Sequence, residues 1–125
     1  MELGLFSGRV VAGKGRGKSL GIATANLDID PPIPPGVYIG EASVSGKKFY
    51  AAISCGNSPY FGDIEKNIIE VHLLDGECNR GDIMSVTVWK FLRPQRKDFS
   101  SVEDLISTIN QDILSVREYF AGPSH

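Results

Sequence analysis

The sequence predicts a mostly β fold: a closed or nearly closed antiparallel barrel with one helix packed on it. Two observations carry this. Short β-branched and aromatic runs are bounded by Gly, Pro, Asn or Asp over most of the chain. Apolar spacing switches to threes and fours only after residue 100. Because no helical pattern separates the strands, βαβ units are excluded, and strands followed by one late helix suggest barrel closure.

In chain order, Gly8 to Ala12 is a short strand candidate, followed by the glycine-rich GKGRGKSLG at 13 to 21 and the proline-rich DPPIPPG at 30 to 36. Val37 to Val44 and Phe49 to Ser54 are strands, and Ser45-Gly46 between them reads as a tight hairpin turn. Ile68 to Leu74 and Ile83 to Phe91 are strands flanking LDGECNRGD at 74 to 82, a connection suited to closing over a bound ligand. Val102, Leu105, Ile106, Ile109, Ile113 and Val116 form the stripe of an amphipathic helix. Ser100 with Glu103 is its expected capping box, and Gly122-Pro123 its stop.

With 125 residues, 42% hydrophobic and 22% charged, the chain fits one domain, 1–125, with a modest core. The net charge of -2, from 13 Lys and Arg against 15 Asp and Glu, supplies no general attraction to nucleic acid or anionic membrane. No stretch approaches the roughly 20 apolar residues of a membrane span. Cys55 and Cys78 are too few for a disulfide framework and read as free thiols of a reducing compartment. A cytoplasmic monomer acting on small molecules is the expectation, with an organellar address left open.

Residues Ala12 to Ser19, AGKGRGKS, nearly match the phosphate-loop pattern GxxxxGK[ST]. A true phosphate loop leads into a helix whose N-terminus holds the anion. Here LGIATANLDIDPPIPP follows, whose prolines and β-branched residues forbid a long helix. The glycines still free backbone N–H groups for a phosphate, and Lys14, Arg16 and Lys18 supply charge; a solvated turn is the alternative.

On the strand Ile68 to Leu74, residues Ile69, Val71 and Leu73 share one face, while Glu70 and His72 share the other. An acidic group is thereby presented opposite an apolar face. His72 reads as a structural histidine.

GKGRGKSLGIATANL resembles the signature of ATP-dependent riboflavin kinases, with the Thr24-Ala25-Asn26 core intact. The resemblance continues in order through GVYIGEASV at 36 to 44, ISCGNSPYF at 53 to 61, IIEVHLLD at 68 to 75 and FLRPQRKDFSSVEDLISTINQDI at 91 to 113. It implies a six-stranded antiparallel Greek-key barrel with a C-terminal helix. It also implies an enzyme that moves the γ-phosphate of ATP to the ribityl 5′-hydroxyl of riboflavin, giving FMN and ADP.

Residue by residue, the resemblance makes Glu70 the catalytic base. Thr24 and Asn26 become ligands of Mg²⁺, with Zn²⁺ or Mn²⁺ as alternatives, and of the nucleotide phosphates; a hydroxyl and an amide carbonyl are the hard oxygen donors such a cation takes. Gly13, Gly15, Lys18, Ser19 and Gly21 belong to the nucleotide loop, Leu73 is a nucleotide contact, and Arg93 and Phe99 are flavin contacts. The alternatives for the last two are a solvated arginine and a helix-start staple.

Two departures stand out: Ala23 replaces a proline before the Thr-Ala-Asn core, and the 74 to 82 connection is short and lacks an aromatic pair. They keep open a degenerate flavin- or nucleotide-binding barrel without kinase activity. A small nucleic-acid-binding barrel, using the basic residues near the glycine loop and Arg93, Arg96 and Lys97, is the reading from another class.

Overall fold

The computed structural model describes residues 3–14, 22–56, 68–95 and 100–122. Six strands, β1 (Gly4–Lys14), β2 (Ile22–Leu27), β3 (Gly36–Val44), β4 (Lys47–Gly56), β5 (Ile68–Leu74) and β6 (Ile83–Arg93), precede one helix, α1 (Val102–Ala121). The strands close into an antiparallel barrel in the order β1-β2-β5-β4-β3-β6, so β5 sits between β2 and β4 rather than beside its chain neighbour β6. This is the expected Greek-key arrangement.

Side-chain alternation sorts the residues. Ala25, Leu27, Ile53, Cys55, Ile69, Val71, Leu73, Met84, Val86 and Val88 fill the interior, each almost wholly buried. Every such Ile, Val or Leu contributes about 1.5–3 kcal/mol by leaving water. Ser45 and Gly46, with φ of 51° and 80°, form the β3–β4 turn, and the hairpin register runs from Val44↔Lys47 to Gly36↔Cys55. Gly40 lies where β3 and β6 shift register, and a Cβ there would strike the Thr87 carbonyl and Ile53. Only glycine permits that approach.

The helix covers part of the barrel's outer face. Ile113 and Val116, flanked by Ile109, Tyr119 and Phe120, pack on Ile39, Ala52 and Leu74, with Leu92 beside them. This outer cover explains why the first five residues of β3 are all buried, against the alternation of an ordinary half-exposed strand.

The strands mostly run longer than the sequence reading, β4 as Lys47–Gly56 and β6 as Ile83–Arg93, and three differences matter most. β1 begins at Gly4 rather than Gly8. Ile22–Leu27 is a full strand that the periodicity did not reveal, because its alanines carry no β signal. The helix cap is Ser101, whose side chain accepts from the Asp104 N–H at 3.0 Å, while Asp104 in turn accepts from Ser100 N–H at 3.0 Å. The cap therefore sits one residue later than Ser100 and Glu103, with a shorter carboxylate closing it.

Candidate active site

The strand pairing assembles the site. On the outer face of the β2–β5–β4 stretch, Glu70 lies directly across from Asn26 on one side and Ser54 on the other. His72 lies across from Thr24 and from Ala52. The interior residues on the same strands point the opposite way, so the polar groups are gathered on one face by the two-residue period alone.

The row extends further. Ser54 pairs with Val37 and Val37 with Arg93, so Asn26, Glu70, Ser54, Val37 and Arg93 follow one line across five strands. Arg93 is three strand spacings from Glu70, roughly 14 Å along the sheet.

Thr24 Oγ1 and His72 Nδ1 share a hydrogen bond of 3.0 Å. Asn26 is 8% exposed, and its side-chain oxygen Oδ1 is buried without a hydrogen-bond partner among the described residues. A buried carbonyl oxygen left unpaired costs about 1–3 kcal/mol, which asks for an explanation such as an absent ion. No cluster of three His, Cys, Asp or Glu capable of holding a metal occurs among the described residues. A cation here would thus rest on neutral oxygens, and Thr24 with the orphaned Asn26 oxygen fits a hard divalent ion. Glu70, half-buried beside them, is the carboxylate of the group.

Arg93 is partly exposed and held by its neighbours. Its Nε and Nη2 donate to Asp112 Oδ1 and Oδ2 at 2.9 and 2.8 Å, and Nη1 donates to the Pro94 carbonyl at 3.0 Å. This bidentate pair ties the end of β6 to α1 on the rim of a cleft of about 460 Å³, lined also by Leu92, Thr108, Gln111 and Ser115. Leu73 is wholly buried in the barrel, facing away from Glu70, so only its main chain can meet a ligand. Gly13 pairs with Ala25 near the end of β1. Gly15, Lys18, Ser19, Gly21 and Phe99 lie outside the described residues.

The connection after β5 makes several contacts with the barrel and within itself. Asn79 N–H donates to Asp82 at 2.8 Å, Gly81 N–H donates to the Val10 carbonyl at 2.8 Å, and Cys78 packs against the core.

Sequence reasoning missed Ser54 and Asp112. Ser54 is a small polar residue in an alternating strand, and only the register of the β4–β5 pair places it beside Glu70. Asp112 carried a usable signal: it falls within the apolar stripe of the helix, between Ile109 and Ile113, where a carboxylate needs a partner.

Comparison with known proteins shows the family and the fold. A mouse riboflavin kinase is 38% identical over 128 residues, spanning 94% of this chain and 81% of the mouse protein. A solved structure described as a macrolide-efflux protein of Streptococcus pneumoniae superposes with a TM-score of 0.73 at 28% identity, over 90% of this chain and 38% of the other. The riboflavin kinase of Trypanosoma brucei shares the fold, with a TM-score of 0.68 at 22% identity over 98% of this chain and 83% of that one. The flavokinase family model, described as riboflavin kinase, matches residues 4–120, and with that match the chain belongs to the riboflavin kinase family.

Proposed function

We propose that this chain phosphorylates riboflavin with ATP, giving FMN and ADP, and that the outer face of β2, β5 and β4 is where the transfer occurs. The observation that carries the reading is the row that sets Glu70 between Asn26 and Ser54 and continues to Arg93.

Phosphoryl transfer needs alignment and charge neutralisation more than covalent chemistry. In this reading Glu70 accepts the proton of the ribityl 5′-hydroxyl as that oxygen attacks the γ-phosphorus. Thr24 Oγ1 and Asn26 Oδ1 hold a divalent cation, proposed as Mg²⁺ with Zn²⁺ or Mn²⁺ as the other candidates. Such a cation, when bound, would supply neutralisation of phosphate charge. Gly13 and the segment carrying Gly15, Lys18, Ser19 and Gly21 are assigned to the phosphates. Leu73, packed beneath the face, supports the strand on which Glu70 sits and offers a nucleotide its main chain only. Arg93, oriented by Asp112, and Phe99 are assigned to the flavin.

A net charge of -2 supports small-molecule substrates over nucleic acid. Cys55 and Cys78, neither of them in a disulfide, support a reducing, cytoplasmic setting, and we take the monomer as the working unit.

Purified protein mixed with riboflavin, ATP and Mg²⁺ is expected to yield FMN and ADP in equal amounts. Glu70→Gln, which removes the base and keeps the shape, is expected to lower turnover by about 10²–10⁴-fold with an unchanged melting temperature. Wild-type turnover in that variant overturns the base assignment. Riboflavin binding without FMN, under all three metals, would instead favour a binding-only barrel.

A further inference from the structure

Outside Glu70, Thr24 and Asn26, the polar side chain most closely coupled to the site is His72. It lies on the same outer face, two residues from Glu70, and it shares a hydrogen bond of 3.0 Å with Thr24 Oγ1 across the β2–β5 pair. We propose that His72 is a positioning residue: its Nδ1 accepts the Thr24 hydroxyl proton and so turns the oxygen lone pairs toward the divalent cation. The proposal rests on the function stated above.

The argument is one of hydrogen-bond inventory. A threonine hydroxyl has one proton and two lone pairs, and rotates freely unless a partner fixes it. A cation can be held only through a lone pair, so the hydroxyl works best as a ligand when its proton has an acceptor on the other side. Nδ1 as acceptor meets that need and leaves both lone pairs available. The opposite tautomer, donating from Nδ1, spends one lone pair and leaves the proton without a set direction.

The surroundings hold the imidazole for this task. His72 lies across from Ala52 on β4 and precedes Leu74 by two residues on the same face; Ala52 and Leu74 are both buried under α1 through Ile113 and Val116. The methyl of Ala52 leaves room for the ring, and the helix packing immobilises the strand face on either side of it. A small residue opposite the histidine and a buried anchor next to it are the elements of a supported ligand shell, in which an outer partner orients the inner one.

The bond count predicts a specific rescue. Nδ1 is two bonds from Cβ, as is the Asn side-chain oxygen, whereas the Gln oxygen is three bonds away. His72→Asn should therefore keep an acceptor in reach of Thr24, and His72→Gln and His72→Ala should not.

The test is calorimetric binding of Mg²⁺-loaded ADP to the wild type and the three variants, with riboflavin binding and melting temperature measured alongside. Loss of one such hydrogen bond predicts affinity about tenfold weaker in His72→Ala and His72→Gln, with most of it recovered in His72→Asn. Riboflavin affinity is expected to stay at the wild-type value. On a Thr24→Val background, His72→Ala should add no further loss, because the bond it breaks is already gone. Equal loss in Asn and Ala variants, tracking a lowered melting temperature, overturns the proposal in favour of a purely structural histidine. Unchanged affinity in His72→Ala also overturns it, while leaving the kinase reading intact if Glu70→Gln is still inactive. Failure of the wild type to bind Mg²⁺-ADP removes the functional reading and this inference together.

Discussion

Asn26 is the residue whose burial makes least sense for stability. An amide with an unpaired carbonyl oxygen on a packed strand is a cost that a hydrocarbon of similar shape would not carry. Asn26→Leu is therefore expected to raise the unfolding free energy by about 1 kcal/mol in urea titration while abolishing FMN formation. A loss of stability would mean that the amide already has a partner and is not held in reserve for a ligand. The proposed site residues legible in the sequence were Thr24, Asn26 and Glu70, all three through the family resemblance, with alternation adding only the face on which Glu70 lies. His72 was visible on the right face, but its partner was not, because the Thr24–His72 bond crosses 48 residues of chain.

At the scale of elements, the helix acts as a clamp. Its apolar stripe holds Ile39, Ala52 and Leu74, and its polar ties reach both ends of the covered face, through Arg93–Asp112 and through Arg117–Asp75 at 3.1 Å. The second tie is exposed and contributes little. The first is partly buried, and Asp112→Ala would leave the Arg93 guanidinium without its carboxylate, bonded to the Pro94 carbonyl beside the cleft. That substitution is expected to cost about 1–2 kcal/mol in chemical denaturation, with the half-exposed arginine limiting the loss. Riboflavin affinity should fall in the same variant if Arg93 serves the flavin. The helix was legible because it repeats its apolar residues five times over; β2 was not, because Ile-Ala-Thr-Ala-Asn-Leu is equally compatible with a loop until β1 and β5 pair with it.

Across the whole molecule, barrel closure buries two titratable groups at one place. Burial pushes the Cys55 thiol above its ordinary value of 9.0, and burial followed by the neighbouring thiolate pushes Tyr38 above 10.0. Cys55 Sγ donates to the Ile33 carbonyl at 3.5 Å and Tyr38 Oη to the Pro34 carbonyl at 2.6 Å, so both protonated forms hold the proline-rich segment against the barrel. Raised folded values mean that the unfolded chain releases these protons first. The stabilisation is whole below the ordinary values and is lost as pH rises through the folded ones. Melting temperature should thus fall as pH rises beyond the ordinary thiol value of 9.0, and less steeply in Cys55→Ala, which lacks one of the two groups. Parallel slopes in both proteins would remove Cys55 from the account.

The sequence by itself determined the fold class, the β3–β4 hairpin, the helix and the face on which Glu70 lies, since each follows from periodicity or turn chemistry within a few residues. Tertiary structure alone decided that β5 pairs with β2 and β4, and with it that Glu70 meets Asn26 and Ser54, that His72 meets Thr24 and that Arg93 is held by Asp112. The physical reason is that strand order in a closed barrel is set by which apolar faces together fill the interior. That is a property of all six strands at once, and no local pattern encodes it.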